Sequence, residues 1–128
     1  MTAPLSQIAI GGQRIADAVA LAVPDLSVIT NPVAPIAPPA VVIGPPRLYW
    51  RGYNQGGQPT TGAWNVYLVT ALTQYALPTL TALVGAIAGA IELHTPGVVL
   101  GAGPGIYPSP QGGLPSYIFS VQLDFGAL

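Results

Sequence analysis

The chain has 128 residues, of which only seven are formally charged (Arg14, Asp17, Asp25, Arg47, Arg51, Glu92 and Asp124), giving 5% charged residues and a net charge of −1. Three arginines without a single lysine leave no basic footprint for a nucleic-acid surface, and the absence of cysteine excludes disulfides and thiolate metal sites. A free-standing domain carries about 25% charged residues to solvate its surface, so this composition points to a subunit covered by other copies or by partners.

The length suits one domain over residues 1–128 with a core of its own. Sixteen glycines and fifteen prolines approach low-complexity content, but they fall between periodic segments and read as punctuation. The N-terminus lacks the basic and apolar regions of a signal peptide, which implies a protein made and kept in the cytoplasm.

In chain order, Leu5, Ile8, Ile15, Val19 and Ala22 recur at helical spacing among Gln7, Gln13, Arg14 and Asp17. They predict an amphipathic helix over 5–22, weakened by Gly11 and Gly12 and closed by Pro24. Leu26 to Thr30 is a short strand candidate. Asn31 to Pro39 has four prolines and reads as an extended connection. Ala40 to Ile43 is β-branched and bounded by Pro39 and Gly44-Pro45-Pro46, so it predicts a short buried strand.

Arg47 to Tyr53 can extend the sheet, with Leu48, Trp50 and Gly52 on one side and Tyr49, Arg51 and Tyr53 on the other. Arg, Trp and Tyr dominate binding hot spots, so this stretch is either a contact patch or a sheet edge with Trp50 in the core. Gly52 to Gly62, with Asn54, Gln55 and Gln58, is polar and uncharged and predicts a hairpin tip. Ala63 to Thr70 returns as a strand, Trp64, Val66 and Leu68 opposing Asn65, Tyr67 and Val69.

A long helix is predicted over Thr73 to Glu92, with Pro78 in its first turns and a buried stripe of Leu77, Leu80, Leu83, Val84, Ile87 and Ile91. Gly85 and Gly89 cost up to about 1 kcal/mol each relative to Ala. Close approach by the sheet or by a neighbouring subunit would offset that cost. The apolar average of this region also raises a membrane span, opposed by its threonines and by a run after Pro78 shorter than the roughly 20 residues a bilayer needs. Gly97 to Gly113 predicts a long loop holding a short Gly105-Ile106-Tyr107 strand. Tyr117, Phe119, Val121, Leu123 and Phe125 alternate with Ser120, Gln122 and Asp124 as the clearest strand in the chain. The expected fold is α+β: a mostly antiparallel sheet of about four to six strands, with an N-terminal helix and one long helix on one face.

Catalytic signatures are scarce. His94 is the only histidine, at a helix C-terminus where a cation meets the last carbonyls. Glu92 and His94 are two apart and diverge on a helix, and a metal site needs more ligands than these. Gly101-Ala102-Gly103-Pro104-Gly105 imitates a dinucleotide-binding turn, but its third glycine is misplaced, Pro104 intrudes and no helix follows. The reading is a non-enzyme without cofactor or metal.

Four stretches carry a resemblance. They are Leu26 to Thr30 before a proline-rich segment, Pro38-Pro39-Ala40-Val41-Val42-Ile43-Gly44-Pro45-Pro46, the Trp64 to Thr70 strand leading into an Ala/Leu-rich helix, and Pro104-Gly105-Ile106-Tyr107-Pro108 followed by Leu114-Pro115-Ser116-Tyr117. In order and spacing the chain resembles the tail terminator, or tail completion, proteins of long-tailed phages, especially those of actinobacteria. The resemblance implies a ring of six copies that caps the tail tube in the virion, stops its polymerisation and meets the head connector, with DNA passing through unread and no membrane involved. The implied partners are other copies, the major tail tube protein and the connector or stopper. Candidate contacts are Arg47, Tyr49, Trp50, Arg51, Tyr53, Asn54, Gln55, Gln58, Gly85 and Gly89, with the tip at 52–62 and the loop at 97–113 as the segments that order on assembly. Two other classes stay open: another neck protein, and a monomeric ligand-binding domain.

Overall fold

The computed structural model describes residues 7–30, 38–50, 59–71, 76–109 and 112–127. It is an α+β fold with the element order α1 (Gln7–Ala22), β1 (Ser27–Ile29), β2 (Ala40–Ile43), β3 (Arg47–Tyr49), β4 (Thr61–Val69), α2 (Ala76–His94), β5 (Val98–Ser109) and β6 (Gly112–Asp124), then a short 3-10 turn over Phe125–Ala127. The six strands form one sheet in the order β1-β2-β4-β6-β5, with β3 also on β4. Only β1 and β2 pair in parallel; all other pairings are antiparallel.

Because side chains alternate across a strand, the registers define two faces. On one face Val41, Ile43, Trp64, Val66, Leu68, Phe119, Val121 and Leu123 meet Ile15 and Val19 of α1 and Leu80, Ile87 and Ile91 of α2 in the main core. Both helices therefore cover the same side of the sheet. β2 and β3 run along the same edge of β4, joined through Gly44-Pro45-Pro46, so they act as one strand broken by two prolines.

α1 ends at Ala22, two residues before Pro24, as the proline requires. Its glycine is more than a weakness. A Cβ on Gly11 would lie 2.8 Å from both Leu123 Cδ2 and Trp64 Cη2, so the bare backbone lets the helix press onto the Trp64 ring. Burying Trp64, which stacks edge-on against Phe125 at 5.8 Å, yields more than the roughly 1 kcal/mol that a helical glycine costs. In α2 Pro78 is the third residue, where first-turn amides have no intrahelical acceptor. Thr95 closes this helix: its hydroxyl donates to the Ile91 carbonyl at 2.6 Å and accepts the Gly97 N–H at 2.9 Å.

Three expectations need correction. The segment from Gly97 to Gly113 is no loop: Val98–Ser109 is a twelve-residue strand paired with β6 through most of its length, with one irregularity between Val99 and Gly101. Its prolines, Pro104 and Pro108, share one parity, and a proline is compatible with a strand where its missing N–H faces away from the partner. Gly112 turns the hairpin at φ 108°, a left-handed value suited to glycine. Gly62 belongs to β4 rather than to a hairpin tip, buried where a Cβ would collide with Trp64 and Phe125. Leu77 is 61% exposed instead of forming part of the buried stripe of α2, because it lies a turn before the helix meets the core at Leu80.

The long helix is apolar enough, over 19 residues, to match a membrane span by length and composition, with 28% of the window buried. Its Leu80, Ile87 and Ile91 are packed in the main core.

Candidate functional site

The face of the sheet without helices is built from cross-strand rows. Arg47, Ala63 and Gln122 form one row, and Asn65 and Ser120 the next; Val42, Tyr67 and Ile118 follow. The row nearest the β5–β6 turn is closed by a small second core of Val42, Val69 and Tyr107, where Tyr67 meets Tyr107 edge-on at 5.4 Å. Ser116 lies in this region, its hydroxyl buried without a hydrogen-bond partner among the described residues.

Toward the other end the same face opens into a cleft of about 820 Å³ lined by Pro45, Pro46, Arg47, Tyr49, Asn65 and Gln122, with Leu100 on the β5 side. The backbone explains the hollow: the Gly44-Pro45-Pro46 break separates β2 from β3, and β5 bulges at Leu100. Leu48 turns inward against the main core, which sends its neighbours Arg47 and Tyr49 to the open face. Its lining combines the polar, uncharged Asn65, Ser120 and Gln122 with the apolar Pro45, Pro46 and Leu100, and the Arg47 guanidinium is the one charge among them.

A second exposed surface is the outer side of α2. Gly85 and Gly89 are exposed, and a Cβ on either would meet nothing within 4 Å. The sheet therefore does not approach them. Thr81, Ala82 and Ala86 share this side, flanked by Leu77 and Leu93, the latter 78% exposed. Its hydroxyl bonded back to the Leu77 carbonyl at 3.0 Å, even Thr81 offers little polarity outward.

Of the sequence-predicted contacts, Arg47 and Tyr49 share the cleft, and Trp50 is 53% exposed beside it, outside the core. Arg51, Tyr53, Asn54, Gln55 and Gln58 lie outside the described residues. Gly85 and Gly89 face away from the sheet, on the opposite side of the molecule from the cleft. Missed were Asn65, Ser120, Gln122 and Leu100; the polar half of the β4 and β6 alternation marked the first three as an outward face, but pairing was needed to unite them.

His94 is exposed at the end of α2, and Glu92 accepts the Val99 N–H at 3.0 Å, tying the helix to β5. Among the described residues no group of three or more metal-ligating side chains comes together. No protein-family model matches the chain, and neither does any curated protein.

Proposed function

We propose that the protein is a structural subunit of a phage tail: a tail terminator whose ring caps the tube, halts its growth and presents a face to the head connector. The observation that carries this reading is the quality of the exposed surface. Leu21, Trp50, Leu77, Leu93, Val98, Leu100 and Ile106 all stand exposed on a small domain with almost no charge between them. Such a surface is costly on a free monomer and natural on a subunit covered by copies and partners. The α+β fold with a mostly antiparallel sheet is the one expected from the order of the elements read along the chain.

A direct biochemical test uses the purified chain and a tail tube protein from the phage that carries its gene. Added to polymerising tubes, the chain binds one end and stops elongation at substoichiometric amounts. Tubes that grow unhindered and carry no extra density at either end would refute the terminator reading. Binding to the connector alone would move the protein to the other side of the neck.

A further inference from the structure

In a chain this poor in charge, each ion without a hydrogen-bond partner is informative. Of the carboxylates, Asp17 accepts from Gln13 at 2.8 Å, Glu92 from the Val99 N–H at 3.0 Å and Asp124 from the Gly126 N–H at 2.9 Å. Asp25 has no such partner among the described residues, and neither do Arg14 and Arg47; Arg14 shares a hollow on α1 with the carboxylate of Asp17, whereas the hollow that holds Arg47 is lined by no carboxylate. Asp25 and Arg47 are both exposed, and they lie far apart on the molecule. Asp25 is at the β1 end of the sheet, near the row Ser27, Ala40, Val69, Ser116. Arg47 lies in the row of Ala63 and Gln122, six residues back along β4, which is about 20 Å along the strand.

The two surroundings are complementary. Asp25 tops an exposed turn with Pro24, directly after α1, and the apolar Leu21 beside it is 69% exposed. A carboxylate there stands at the negative end of the helix, where a cation is favoured. The Ala20 carbonyl has no i+4 amide to accept from, because that residue is Pro24. The turn is thus a projection that presents a carboxylate, open helix carbonyls and an apolar flank. The cleft on the helix-free face is a hollow with one guanidinium, which carries five donors in a fixed fork, and the apolar walls of Pro45, Pro46 and Leu100.

We propose that the Pro24-Asp25 turn of one copy seats in the Arg47 cleft of the next. Resting on the ring reading above, this assigns the ring's subunit contact. Projection and hollow are different surfaces of the same chain, so the contact is head-to-tail and propagates from copy to copy until it closes. Arg47 binds the Asp25 carboxylate and the last carbonyls of α1, while Leu21 and Pro24 cover the apolar wall.

The test is sedimentation velocity on the full chain and on Arg47→Glu and Asp25→Arg, each checked for wild-type circular dichroism. Each reversal places like charges across the contact and weakens association by about 100-fold. An equimolar mixture of the two variants restores wild-type assembly, because alternating copies then pair opposite charges at every contact. The milder Arg47→Gln weakens association by about 10-fold. Wild-type assemblies that both reversals leave intact, or that the mixture fails to restore, would overturn this contact while leaving a ring possible. A wild-type chain monomeric at every concentration tested would overturn the contact and the ring together.

Discussion

The same substitution, Gly→Ala inside a helix, has opposite consequences at two places in this molecule. At Gly85 the added methyl meets nothing within 4 Å, so only the helix propensity changes, and stability rises by about 1 kcal/mol. At Gly11 the methyl would sit 2.8 Å from Leu123 Cδ2 and Trp64 Cη2, against an ordinary contact distance of 3.4 Å or more. Trp64 is almost completely buried and braced by Phe125, so it cannot move aside freely. Overpacking costs about 1–3 kcal/mol, which outweighs the propensity gain and leaves Gly11→Ala destabilised by about 1 kcal/mol. The two variants should therefore differ by about 2 kcal/mol, or roughly 8 °C in melting temperature for a domain of this size. Urea unfolding at low protein concentration, followed by circular dichroism, reads the difference. Equal stabilisation by both substitutions would refute the packing of α1 on Trp64.

Three further substitutions test other parts of the account. Ser116→Ala removes a buried hydroxyl without a partner and should raise stability by about 1 kcal/mol in the same unfolding assay. Thr95→Val removes the hydroxyl that closes α2 and leaves the Gly97 N–H buried without its acceptor, while the Ile91 carbonyl keeps the Thr95 N–H at 3.0 Å; it should cost about 1 kcal/mol by urea denaturation. Replacing Pro104 and Pro108 together by Thr supplies outward amides to the long edge strand β5; light scattering should show faster aggregation on warming than for wild type.

Much of the fold is written locally. Val41 and Val42 between prolines, the alternation from Tyr117 to Leu123 and the apolar stripe ending at Ile91 each specify an element through their own periodicity. β5 was illegible because its glycines and prolines are turn formers in isolation; only pairing along β6, with the prolines at one parity, makes them strand residues. Gly11 was illegible for a related reason: a glycine reads as a helix weakness until Trp64, 53 residues later in the chain, is brought against it. Of the candidate site, Arg47 and Tyr49 were visible as residue types suited to contacts. Their place in a hollow depends on the proline break after β2 and on the β6 partners, neither of which periodicity encodes. Asp25 gains meaning only once the other carboxylates are seen to be occupied.

The central claim is tested most directly by electron microscopy of lysates from a phage carrying this gene, with the gene silenced. The account predicts tails of uncontrolled length beside filled, unjoined heads. Tails of normal length separated from heads would assign the protein to the connector side of the neck, and intact, infectious virions would contradict a role in tail completion altogether.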